Sequence, residues 1–187
     1  MLREKGALPN QTDVLVFGSG IAGHCAALAA ADAGAHVLLL EKASQPGGSS
    51  AIAGGAFVFS GTDEQESAGQ KDSLEALRRD LLQSGKNKNK PELVDRFLKS
   101  QLDTYRFLKK FGVKFELHIV SEPGVSRAHV TGTGKAITAL HMAVQTEPRI
   151  TYASRSAGVR LSRSSETGRV DGASVMFGDR ETFIRAK

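Results

Sequence analysis

The residues whose types and spacing could do chemistry are three glycines, Gly18, Gly20 and Gly23, followed by Ala27 and then by an acid, Glu41. In the order strand, tight turn, helix, strand, each has a mechanical task. Gly18 turns the chain out of the first strand, Gly20 lets main chain approach a pyrophosphate, and Gly23 with Ala27 lets helix and strand pack closely. The helix N-terminus at Ile21 and Ala22 then faces the phosphates, because its N–H groups lack intrahelical partners and the dipole is positive there. Glu41, about 20 residues on, is placed to accept hydrogen bonds from ribose hydroxyls. Its negative charge would face a 2′-phosphate, which argues against NADP.

A second glycine-rich stretch follows. Lys42 leads through Pro46 into Gly47, Gly48, Ser49, Ser50, Ala51, Ile52, Ala53, Gly54 and Gly55, two glycine pairs bracketing mostly small residues. With so little bulk, the stretch reads as an extended or turning segment lying against a large flat ligand. Its N–H groups and serine hydroxyls would be available to phosphate oxygens and ring heteroatoms. Read alone, the same composition also fits a flexible surface loop.

The elements that must position these residues follow from periodicity. Residues 14–17 form a β-favouring apolar run, 21–33 are alanine-rich and helical, and 36–40 give a second strand, opened by His36. Leu74, Leu77 and Leu81 stripe a helix over 72–84, closed by Gly85. A longer helix starts at Pro91 and runs towards Gly112, with Val94, Phe97, Leu98, Leu102, Tyr105 and Leu108 on one face. Residues 113–115 and 117–120 read as short strands. Arg127 and His129 precede the glycines of 126–134 and an apolar helix over 135–144; they fit either an anionic ligand or ordinary capping, and neither is assigned to catalysis. Partial alternation over 158–162, 170–177 and 182–185 predicts a three-stranded antiparallel meander.

Composition bounds the function classes. The chain of 187 residues, 40% hydrophobic and 24% charged with 20 glycines, is globular in type. Part of its net charge of +5 sits in Lys86, Lys88 and Lys90, separated by asparagines. No aromatics interleave with that run, so it reads as a solvated loop and no nucleic-acid partner is expected. Its single cysteine, Cys25, permits neither an internal disulfide nor a multi-cysteine metal site, so no metal is expected. The first twelve residues lack an apolar core of signal-peptide length, and Asp32 and His36 interrupt the longest apolar stretch, so no membrane insertion is expected and the expected location is cytoplasmic.

The chain resembles the FAD-binding domain of the fumarate reductase and succinate dehydrogenase flavoprotein family, which includes the 3-oxosteroid dehydrogenases. The resemblance is specific over 13–61 and resumes at 126–140 and 156–175; the stretch 47–55 looks closer to the steroid-dehydrogenase-like branch. It implies an α/β fold: a Rossmann-like parallel sheet with flanking helices, a third parallel strand at 150–153, and the antiparallel meander beside it. It also implies an adenine contact near Gly158 or Val159. Membrane-bound succinate dehydrogenases carry a flavin-bonding histidine shortly before the second glycine pair, and 48–53 contains none, so the resemblance implies non-covalent FAD. His24 and His36 are no substitutes and read as local packing residues.

The resemblance further implies that 1–187 is the N-terminal portion of an FAD-binding domain, with the capping domain and the C-terminal part of the FAD domain absent. Catalytic residues would then lie beyond Lys187. The implied reaction is hydride transfer between the flavin and a carbon beside a carbonyl or carboxylate, on a small-molecule substrate and with room for an electron-transfer partner. Two alternatives stay open on the residues: an NAD-dependent dehydrogenase, and a truncated, non-catalytic dinucleotide-binding module.

Overall fold

A computed structural model describes residues 8–119 and 124–187. The chain first forms β1 (Gln11–Thr12), β2 (Val14–Phe17), α1 (Ile21–Asp32), β3 (Val37–Leu40) and the short α2 (Gly48–Ile52). It continues with β4 (Ala56–Val58), α3 (Asp63–Ser67), α4 (Leu74–Ser84), α5 (Pro91–Lys110), β5 (Glu116–His118) and β6 (Ala128–Val130). It closes with α6 (Lys135–Thr146), β7 (Ile150–Ala153), β8 (Ser156–Arg163), β9 (Val170–Phe177) and β10 (Arg180–Ala186). These elements divide into two compact units, one running to Ala53 and resuming over Ala136–Lys187, the other spanning Gly54–Lys135.

The first unit is α/β, as expected. Its parallel sheet has the order β2-β3-β7, with Val14 opposite Val37 and Val37 opposite Ile150. All four residues of β3 are buried, which is what a central parallel strand covered on both faces requires of a run such as Val37-Leu38-Leu39-Leu40. A second sheet carries the meander β8-β9-β10, and β1 joins its edge by pairing parallel to β10. Leu38 and Leu40 share one core cluster with Val175 and Ile184, so side chains of both sheets pack into one interior. Burial of four such side chains at about 1.5–3 kcal/mol each is the main force holding β3 in place.

The second unit is built on the antiparallel sheet β4-β6-β5. Beside it α4 and α5 pack through Leu77, Val94 and Leu98, with Leu81 partly buried against them, whereas Leu74, the first leucine of the anticipated stripe, is exposed. Phe59, Tyr105, Phe115 and the buried His129 form a ring cluster, with Phe59 and Tyr105 centroids 5.5 Å apart. Pro91 occupies the first turn of α5, and Gly85 caps α4.

Four expectations need correction. Residues 113–115 are not a strand: Val113 and Phe115 are buried, but pairing begins at Glu116 and ends at His118, and Val120 lies outside the described residues. The helix expected from residue 72 begins at Leu74, because Ser73 caps it by accepting from the Ala76 amide. His36 stands outside β3 and is exposed. The stretch 47–55 is not extended throughout, since Gly48–Ile52 is helical, with Gly47 at φ +117 turning the chain into it.

Candidate site at the glycine turn

The turn between β2 and α1 works as the spacing requires. Gly18 has φ +89, a conformation that favours glycine. A methyl group added to Gly23 would stand 1.8 Å from the Gly18 carbonyl oxygen, so the first turn of α1 and the end of β2 are in main-chain contact. Gly20 is the N-cap of α1 and has no side chain with which to cap it. Hence the first-turn amides of Ile21, Ala22 and Gly23 are not closed over by the helix's own cap. The Ile21 N–H donates instead to the Ser50 hydroxyl, 3.2 Å away, which brings the start of α2 beside the start of α1.

Gly47 is buried and admits no side chain, because an added methyl would meet the Ala51 side chain at 2.5 Å. Its carbonyl accepts from the amides of Ser50 and Ala51. Gly48 and Ser49 are exposed on the short helix. Six of the residues singled out from sequence, Gly18, Gly20, Ile21, Ala22, Gly23 and Ser50, thus share one neighbourhood in the first unit. Gly54 and Gly55 belong to the second unit, where Gly55, at φ +75, stands against the Gly132 main chain and accepts a hydrogen bond from the Thr131 amide.

Glu41 has only 7% of its surface exposed. One carboxylate oxygen accepts from both the amide and the hydroxyl of Ser19, each at 2.8 Å, and the other accepts from the Ala43 amide at 2.8 Å. Burial pushes its pKa up, but the hydrogen bonds from Ala43 and Ser19 outweigh it, so the group titrates below its ordinary value. A carboxylate has roughly four acceptor positions, of which the turn takes three, leaving about one for a ribose hydroxyl. Lys42 beside it is exposed.

Ser19, fully buried, is the functional residue that motif spacing does not reveal; its partner lies 22 residues away and only the fold joins them. The Glu41 carbonyl also accepts from the Ser156 amide at 2.8 Å, and the Ala43 carbonyl from Arg155 at 3.0 Å. Arg155 reaches that amide position with φ +53, unusual for a residue with a side chain. Gly158 follows at once: its Cα lies under the Phe17 ring, which an added methyl would meet at 2.7 Å. Phe17 and Val159, 42% and 53% exposed, give this ledge an apolar surface beside the glycine turn.

Arg127 and His129 are absorbed by structure within the second unit. Arg127 makes a two-pronged pair with the buried Asp72, both contacts 2.6 Å, and a third contact of 2.6 Å with Asp80. The two carboxylates hold its guanidinium well above the usual arginine range. His129 bridges the Thr62 hydroxyl and the Arg127 carbonyl with its two ring nitrogens. No group of three or more metal-ligating side chains is found among the described residues, and no helix of those residues is long and apolar enough to cross a membrane.

Comparison with known proteins gives the family and the fold. A family model described as FAD binding domain matches residues 13–187. The fumarate reductase (cytochrome) of Shewanella frigidimarina is 34% identical over 133 residues, which is 70% of this chain and 23% of that protein. The chain spans about a quarter or less of the first four curated relatives it matches. Among solved structures, the open conformation of a flavocytochrome c3 fumarate reductase superposes with a TM-score of 0.85 at 31% identity, covering 95% of this chain and 32% of that one. A 3-ketosteroid-delta4-(5alpha)-dehydrogenase from Rhodococcus jostii RHA1 superposes with a TM-score of 0.82 at 25% identity, covering 96% and 45%.

Proposed function

Because this chain belongs to the FAD binding domain family, with fumarate reductases among its relatives, we propose that it holds FAD non-covalently for an oxidoreductase acting at a carbon–carbon bond beside a carbonyl or carboxylate. The observation that carries this reading is the bare N-cap at Gly20, which has no side chain to close over the first-turn amides, with Ser50 brought to the Ile21 N–H from the neighbouring glycine-rich stretch and a buried acid bracing the turn behind them. The residues present fit the cofactor. Gly18, Gly20, Ile21, Ala22 and Gly23 would meet the pyrophosphate by main chain, with Gly47, Gly48, Ser49 and Ser50 on its other side. Glu41 would offer its remaining acceptor position to the ribose beside Lys42. Phe17, Gly158 and Val159 would give adenine an apolar ledge.

When bound, FAD supplies hydride transfer at its N5. What the chain's own residues contribute is binding and orientation. The turn places main-chain donors where two phosphate charges must be neutralised, without a cationic side chain. The absence of histidine in α2 supports non-covalent attachment. The whole protein would act on a small molecule, with an electron-transfer partner, and would work in the cytoplasm.

The test is reconstitution. The purified chain mixed with FAD is expected to quench flavin fluorescence stoichiometrically and to release all of the flavin on acid precipitation. Flavin that stays in the precipitate would overturn non-covalent attachment, and fluorescence that never changes would overturn the site. The reaction itself is tested on a longer chain carrying the remaining family domains, with fumarate and with a 3-ketosteroid as oxidants of the reduced flavin. Turnover of neither, or of any other activated alkene, would refute the C=C assignment.

A further inference from the structure

His24 was expected to be a packing residue, and its burial is complete. Its polar contacts go further. It lies in the first turn of α1, and its Nδ1 is 3.0 Å from the Gly20 carbonyl oxygen, which also accepts the His24 main-chain N–H at 3.0 Å. Its Nε2 is 3.2 Å from Nδ1 of His141 on α6, 117 residues away. The His141 ring in turn meets the Tyr152 ring of β7 edge-on, with centroids 4.7 Å apart.

Between two neutral rings these contacts select one tautomer pattern. A carbonyl oxygen only accepts, so Nδ1 of His24 must carry its hydrogen to make a bond at 3.0 Å; a lone pair there would face another lone pair. Nε2 of neutral His24 is then the acceptor, and Nδ1–H of His141 is its donor. Burial lowers the pKa of both rings, which favours this neutral arrangement. Hydrogen bonds to the Gly20 and Ser19 main chain, and the charge of Glu41 just after β3, act on His24 in the opposite sense, but burial outweighs them.

The consequence passes through one peptide plane. The Gly20 carbonyl and the Ile21 N–H belong to the same planar unit, so holding the oxygen sets the direction in which the N–H points. We infer that His24, oriented by His141, is a positioning residue for the dinucleotide turn, fixing the Gly20–Ile21 peptide so that the Ile21 N–H, which donates to the Ser50 hydroxyl in the structure, stays on the face of the turn where it would donate to a phosphate oxygen of the bound cofactor. This rests on the site proposed above. Spacing could not have shown it, since the two imidazoles meet only when α6 packs beside α1.

Two measurements test it on the full chain. Long-range proton–nitrogen NMR at neutral pH is expected to show the hydrogen on Nδ1 of both His24 and His141, the less common tautomer, with or without FAD. Nε2–H on His24 would overturn the inference. Titration with FAD is expected to give a dissociation constant about fivefold weaker for His24→Leu, the equivalent of one neutral hydrogen bond. In His24→Asn, whose side-chain N–H can occupy the place of Nδ1–H, the constant should return to within about twofold of the parent. A structural role alone would weaken both variants alike, in step with their melting temperatures, and that result would also overturn it. A parent chain that binds no FAD sinks the site, whereas a parent that binds FAD with His24→Leu binding equally well sinks only this inference.

Discussion

Replacing Gly23 by alanine separates what the helix prefers from what the turn permits. By intrinsic propensity the change should stabilise α1 by about 1 kcal/mol, because alanine is the better helix former. The added methyl, however, would lie 1.8 Å from the Gly18 carbonyl oxygen and 2.9 Å from its carbon, both main-chain atoms. The gap must open by roughly 1 Å or more before ordinary contact is restored. Gly18, already at φ +89 and joined to β3 through its amide and the Leu40 carbonyl, cannot retreat by a rotamer change. A cost at the upper end of overpacking, about 3 kcal/mol, is expected, for a net loss of about 2 kcal/mol. For a chain of this size that lowers the melting temperature by about 4–8 °C. Gly20→Ala is the matched control. Its methyl would meet only the Ser50 hydroxyl at 3.4 Å and the Gly47 carbonyl at 3.7 Å, so the fold should tolerate it. It would nevertheless intrude where main chain must approach the pyrophosphate, weakening FAD binding roughly 10- to 150-fold if one charge-assisted hydrogen bond is lost. Scanning calorimetry and FAD titration of both variants decide the matter. A Gly23→Ala chain melting at or above the parent's temperature would refute the steric reasoning, and a Gly20→Ala chain that binds FAD as the parent does would refute the placement of the phosphates.

Glu41→Gln is expected to cost about 1–3 kcal/mol in urea unfolding, since the amide's N–H groups would confront a donor at Ser19 or Ala43. Because the folded carboxyl titrates below its ordinary value, its contribution is present above about pH 4.3 and is lost as pH falls through the folded pKa; the Glu41→Gln chain should lack that acid-side decline. Arg127→Met should destabilise the protein by about 3–5 kcal/mol, leaving Asp72, whose side chain is 1% exposed, charged and unpaired; a loss under about 1 kcal/mol would mean the pair is dispensable. His24 and His141 are both held more readily neutral than in the unfolded chain. Stability should therefore fall as pH drops below about 6.5, down to their folded pKa values, and His141→Phe should flatten that slope in a pH series of urea melts.

The β2-α1-β3 unit was readable because every part of it speaks locally: a four-residue apolar strand, glycines where φ turns positive, alanines in a helix. The meander was readable from its alternation, though not the pairing of β1 with β10 across the whole length of the chain. In the second unit β4, β5 and β6 have three residues each, too few for a period of two to emerge. The helix α2 escaped because glycines at 47 and 48 suggest a loop, whereas Gly47 supplies the turn into the helix and the Ser-Ser-Ala run that follows tolerates helix well. At the site, the glycines and Glu41 were visible as a spacing. Ser19 and the two imidazoles were not, since each acts through a partner 22 to 117 residues distant.

The two main-chain bonds from Arg155 and Ser156 to the segment 41–43 have a mechanical consequence. They rivet the exit of the third parallel strand to the exit of the second, so the acid and the apolar ledge can shift only as one plate. A change that relaxed the backbone at Arg155 would therefore be felt both at Glu41 and at the Phe17–Gly158 ledge.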